Sequence, residues 1–189
     1  MEKTPQKKRR ERIARIVAGV VAALIAVGLL LYYVPWPQRI RIDGDAYRVD
    51  RNADSDTSYT MSLDATRLHY LFRSDRLTGH VTIRPAGGGD VAVDHDLDRP
   101  GWYITDVTQP GTKDTVSYFC GFWVDYTGSS PDMTTVSGLL SADRTSMLIE
   151  VNSDQGRGVY IAPASDEQSV ETIKTELGKV FDVDGWIDR

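Results

Sequence analysis

Three aspartates stand two residues apart in the segment DVAVDHDLDRPGW: Asp94, Asp96 and Asp98. In a strand this spacing projects all three carboxylates from one face, and in a loop it lets them wrap a hard cation such as calcium. A calcium loop of the helix–loop–helix kind needs glycine at position six and a carboxylate at position twelve; counted from Asp94 these are Arg99 and Thr105. Both the turn and the bidentate closure are missing. A solvated acidic face is the simpler expectation, with Asp94, Asp96 and Asp98 as the candidate metal ligands and calcium as the one cofactor they suit. The segment DVDGWID, from Asp182, has a similar look, but its first position falls on Val180.

The histidines are His69, His80 and His95, and none lies in an H-E-x-x-H pattern. With Cys120 as the sole cysteine, neither an intrachain disulfide nor a Cys/His zinc site of the structural kind can form within one chain. The neighbours of Cys120, namely Phe119, Phe122 and Trp123, predict a buried, unreactive thiol. A nucleophilic serine has no G-x-S-x-G elbow to present it. His80, alternating with Val81 and Ile83, fits an outward polar position. Gly87, Gly88 and Gly89 are followed by the acidic, strand-like VAVDHD instead of the helix N-terminus a phosphate loop requires, so they read as a turn.

These residues must be positioned by short alternating segments separated by turn residues at intervals of roughly ten, the pattern of an antiparallel β domain. The segments are QRIRID before Asp43-Gly44, AYRV, TSYTMSL, LHYLF, LTGHVTIR, VAVDHD, GWYITDV, VSYFCGFWVDY, VSGLLS, SMLIEV and GVYIAP. In VSYFCGFWVDY, Tyr118, Cys120, Phe122, Val124 and Tyr126 share one face and Phe119 and Trp123 the other, which predicts a central strand covered on both sides. The period then changes. Val170, Ile173, Leu177 and Val180 or Phe181 recur at helical steps behind a Ser165/Gln168 capping box, predicting an amphipathic helix that lies on the sheet or covers its edge. The expected fold is α+β, mainly β: an antiparallel sandwich or partly closed barrel-like domain with a C-terminal amphipathic helix.

Ahead of this domain, residues 16–34, from Ile16 to Val34, carry no charged side chain. A helix of that length spans about 28 Å, close to the hydrocarbon thickness of a bilayer. A cleaved signal has a shorter apolar region and a small-residue exit, whereas this run ends in bulky residues. Tyr32, Tyr33 and Trp36 suit a membrane interface, and Pro35 and Pro37 cannot continue a helix. The expectation is a permanent anchor. Residues 1–15 hold Lys3, Lys7, Lys8, Arg9, Arg10, Arg12 and Arg15 against Glu2 and Glu11. Such a basic tail stays cytoplasmic under the positive-inside tendency and attracts anionic lipid head groups. Residues 35–189 then lie outside the plasma membrane as one domain, in which 25 acidic residues outnumber 15 basic ones. That excess opposes nucleic-acid binding. Ala18, Ala22 and Ala26, with Gly19 and Ala23 beside them, form a smooth ridge suited to helix-mediated self-association.

The order LTGHVTI, VSGLLSADRTSMLIEV and VYIAPA before a short helix, across Leu77 to Leu177, resembles small membrane-anchored or exported proteins of unassigned function in Gram-positive bacteria. The resemblance implies a β-rich outer domain in the cell envelope and carries no catalytic residues. Twelve Arg against three Lys in the outer domain fits a GC-rich genome. Two functional readings follow from the whole sequence. One is a non-enzymatic envelope module binding a protein or cell-wall component; the other is an envelope hydrolase or transferase using acidic residues near a histidine.

Overall fold

The computed structural model describes residues 5–50, 58–89, 92–98, 101–126, 131–154 and 156–189. Glu2 and Lys3 of the basic segment and Arg99 of the acidic segment lie outside them. The chain divides into two units. In the first, α1 (Pro5–Tyr33) is a single helix through the basic block and the apolar run. It stops where proline removes the next donor: the Val34 N–H still reaches the Leu30 carbonyl at 2.9 Å, and Pro35 has none to offer. Tyr70–Arg73 also belongs to this unit.

The second unit is mainly β. Its strands are β1 (Trp36–Arg48), β2 (Tyr59–His69), β3 (Asp75–Pro85), β4 (Val93–Asp96), β5 (Tyr103–Thr108), β6 (Thr115–Asp125), β7 (Asp132–Leu140), β8 (Met147–Ser153) and β9 (Gly156–Ala162). They run as an antiparallel meander in which β9 returns to pair with β1, so eight strands close into a barrel and β4 branches from β3. Alternation sorts the side chains. Ile40, Leu63, Leu77, Ile83, Ile104, Phe119, Val136 and Ile149 point inward, with Trp102 from the β4–β5 connection filling space among them. An eight-stranded barrel has an interior that side chains can fill, and here Leu63, Ile83, Phe119 and Trp102 are all at most 2 % exposed. Two glycines make room for the largest rings. A Cβ on Gly121 would lie 2.3 Å from the Trp102 ring, and one on Gly138 would lie 2.4 Å from the Phe119 ring.

Outward-facing Val116, Leu139, Leu148, Val159 and Ile161 form a second core under α2 (Glu167–Gly178) and α3 (Val183–Ile187). Val170, Ile173 and Leu177 of α2 are buried there, as the helical spacing predicts, each worth about 1.5–3 kcal/mol. The cap differs by one residue. Asp166 is the N-cap and accepts from Ser169 N–H, while the Ser169 hydroxyl serves the Asp166 N–H. DVDGWID is α3, with Asp182 accepting from the Gly185 N–H as its N-cap.

Two expected boundaries change. β1 runs straight through Asp43-Gly44, because Gly44 serves a close approach and not a turn: its Cβ would meet Pro163 at 3.2 Å, where Ala164 N–H bonds the Asp45 carbonyl. LHYLF is not a strand of its own. β2 ends at His69, and Leu71 and Phe72 form the exposed β2–β3 turn.

Candidate functional site

Two of the ladders that close the barrel are short. β3 pairs with β5 only at Asp75↔Ile104 and Arg76↔Tyr103, because the rest of β3 is occupied by β4. β1 pairs with β9 at Tyr47↔Ile161 and Arg48↔Tyr160, with the Val49 N–H on the Val159 carbonyl and the Ala164 N–H on the Asp45 carbonyl to either side. Side chains reinforce each seam. At the first, Arg67 on β2 donates to Asp75 at 2.7 Å and to Asp106 on β5 at 2.7 Å, and Ser117 on β6 donates to Asp106 at 2.6 Å. Arg67, Asp75 and Ser117 are buried. At the second, Arg48 donates to Asp50 at 2.6 Å and to the Arg157 carbonyl at 3.2 Å, and Asp50 accepts the Val159 N–H.

His69 joins the first cluster through Nδ1, 2.9 Å from Asp75. This is the arrangement in which an imidazole is oriented by a carboxylate. The nucleophile–base bond of a hydrolase differs from what is present: the Ser117 hydroxyl proton is given to Asp106, and Asp75 is shared with a guanidinium. Burial raises the Asp106 pKa, but the hydrogen bonds from Arg67 and Ser117 outweigh it and hold the carboxyl below its usual range. A guanidinium at this point fixes charge in place and cannot relay a proton.

The candidate metal ligands lie elsewhere. Asp94 and Asp96 leave β4 on one face, as their spacing predicts, and His80 on β3 sits between them with Nε2 and Nδ1 each 2.7 Å from a carboxylate. Arg84 adds a bond to Asp94 at 2.7 Å. Asp98 leaves the strand: Leu97 turns inward, its N–H bonded to the Gly79 carbonyl, and Asp98 accepts the Gly79 N–H at 2.9 Å. Among the described residues no group of three or more His, Cys, Asp and Glu is placed to hold a metal ion. The hydrogen bond that the imidazole donates to Asp96, with that to Asp94, raises the His80 pKa. His95 stacks on Trp123, centroids 4.1 Å apart.

The outer face of β6 departs from the expectation of cover along its whole length. Tyr118 is capped by Phe181 and Trp186, but Phe122 and Tyr126 are exposed, and Tyr103 and Met133 extend this apolar surface onto β5 and β7. Cys120 is half-buried on this outer face opposite Tyr103, not sealed in the core. Where the helical cover ends, a cavity of about 440 Å³ opens beside Tyr118, Glu150, Phe181, Asp182, Trp186 and Arg189. Glu150 accepts from the Trp186 indole N–H and from Arg157 at 2.7 Å, and Arg157 also binds the last carbonyls of α3, from Trp186 and Ile187. The cavity thus joins aromatic faces to fixed charges of both signs. Its residues come from strands and from the C-terminal segment around α3, some 30 to 70 positions apart, so nothing local in the sequence marked it. Neither this cavity nor a shallower one along the exposed face of α2 is lined by His69, His80 or His95.

In the first unit, Arg9–Tyr33 of α1 is long and apolar enough to cross a membrane, with a mean hydropathy of 2.5 over its most apolar stretch, a property shared with signal sequences. Ile16, Tyr32, Tyr33, Val34 and Trp36 are all exposed, as are Arg9, Arg10, Arg12 and Arg15 apart from partial cover elsewhere in that turn; Lys7 and Lys8 lie on the same helix. Comparison with protein-family models, with curated proteins and with solved structures found no match for this chain.

Proposed function

We propose that the chain is a single-pass protein of the plasma membrane, held by residues 16–34 with the basic tail in the cytoplasm, and that its barrel is a non-enzymatic binding module of the cell envelope. One observation carries the reading. The barrel interior is filled by side chains such as Trp102, Phe119 and Leu63, so the surfaces left for recognition are on its outside, where the Tyr118–Trp186 cavity and the exposed Phe122 and Met133 lie. Aromatic faces flanked by charges of both signs suit a cell-wall component bearing sugar rings and charged groups, or a segment of an envelope protein. The resemblance to membrane-anchored Gram-positive proteins agrees with this place.

Calorimetric titration of the full chain in detergent with soluble cell-wall fragments tests it. Saturable binding heat that Trp186→Phe and Glu150→Gln weaken supports the module; turnover of the fragments that survives those changes but not His69→Asn favours the hydrolase or transferase reading. Protease added outside intact cells should remove the barrel and leave a fragment containing α1. The ridge Ala18, Ala22 and Ala26 is exposed along α1 and supports helix-mediated pairing. In that case Ala22→Leu abolishes crosslinking between copies in the membrane.

A further inference from the structure

The turn between β2 and β3 reads Tyr70-Leu71-Phe72-Arg73. Its apolar side chains are turned to solvent, Leu71 at 44 % and Phe72 at 65 % exposure, at a place where hairpins ordinarily carry polar residues. The Arg73 guanidinium lies 4.1 Å above the Tyr70 ring, leaving a cation beside the apolar pair. These four residues belong to the same compact unit as α1 and its aromatic exit at Tyr32, Tyr33 and Trp36. An amphipathic cluster of Tyr, Leu, Phe and Arg grouped with an aromatic belt has the composition of a segment lying in the membrane interface, where rings and aliphatic groups enter below the head groups and arginine pairs with lipid phosphate.

We propose that Tyr70–Arg73 is a second lipid contact, in which Leu71 and Phe72 insert into the bilayer interface and Arg73 binds anionic head groups. The inference rests on α1 being a lipid-embedded span. It gives the tip a purpose that barrel packing does not, since neither Leu71 nor Phe72 joins either buried core.

The full chain carrying Cys120→Ser is reconstituted into phosphatidylethanolamine/phosphatidylglycerol vesicles with one new cysteine at a time, each bearing an environment-sensitive fluorophore. The sites are Phe72→Cys and Leu71→Cys in the tip, Asp154→Cys in the exposed β8–β9 turn, and Leu24→Cys in the middle of α1. The expected result is blue-shifted emission at Leu71 and Phe72, iodide quenching severalfold weaker than at Asp154, and quenching by lipids labelled near the head group. Iodide quenching of the tip equal to that at Asp154, with the Leu24 label quenched by lipids labelled deep in the acyl chain, overturns the tip contact and leaves the anchor standing. A Leu24 label that iodide reaches overturns the anchor itself. Arg73→Gln should reduce the blue shift at Phe72 in phosphatidylglycerol vesicles and leave it unchanged in neutral ones; equal loss in both removes the role given to arginine.

Discussion

Arginine–aspartate pairs occur in two settings in this barrel, and the settings differ in burial more than in geometry. Arg67 with Asp75, and Arg48 with Asp50, are largely buried pairs where β3 meets β5 and β1 meets β9, while Asp106, which Arg67 also holds, is itself 44 % exposed. Arg39 with Asp64, and Arg84 and His80 with Asp94 and Asp96, lie on the outside at 2.7 to 3.0 Å. Distances are much alike in both. In water the outer charges exchange one good partner for another and gain little, whereas an inner carboxylate deprived of its arginine keeps the desolvation cost with nothing to offset it. The inner pairs therefore act as fasteners beside these two short ladders, and the outer pairs as surface charge.

The sharpest way to break this comparison is Arg67→Ala, which leaves Asp75 buried beside His69, while Asp106 keeps its bond from Ser117. A loss of about 3–5 kcal/mol is expected in urea unfolding. Arg48→Ala comes next, at about 2 kcal/mol, since Asp50 retains the Val159 N–H. A loss at either seam no larger than that at the surface would mean the ladders hold without fasteners.

Acid acts with opposite sign on a carboxylate and on an imidazole, and the outer Asp94 is lowered like Asp106. Asp106 has a lowered pKa, so its contribution is present above the ordinary carboxylate value and is lost as pH falls through the lowered folded value. His80 has a raised pKa, so its contribution is complete below the ordinary imidazole value and is lost as pH rises through the raised one. Being exposed, the His80 cluster should show itself more in the titration of the imidazole NMR signals than in unfolding: His80 should titrate above a free histidine, return toward it in 1 M salt or in Asp96→Asn, and leave the barrel folded throughout. The smallest effect belongs to Arg39→Ala, for which the urea midpoint should not move.

Periodicity made the β domain, the apolar helix and the α2 stripe legible, because each buries one face and the burial is written at a fixed spacing. Val170, Ile173 and Leu177 are buried where the spacing put them. Signals that have two physical uses misled. Asp43-Gly44 carries the residues of a turn, yet the glycine is there to admit Pro163. LHYLF has the composition of a strand, yet β2 ends at His69 and the chain turns through Leu71 and Phe72 to enter β3 at Asp75, in register from Leu68↔Arg76. The seam clusters were invisible for another reason: Arg67, Asp106 and Ser117 are 39 to 50 residues apart in places, and nothing local shows that strand closure brings them together. Asp94 and Asp96 share a face as a strand spacing of two expects, whereas their meeting with His80 depends on the β3–β4 register, which the sequence does not show.

Closure of the ring has a consequence wherever copies of the chain crowd together. High local concentration is the condition in which open strands recruit one another into growing ribbons. In the ring each of the eight strands has a partner on either side, and the branch β4 offers only four residues, two of them aspartates. Encounters between neighbouring barrels are thus left to side chains, which can let go.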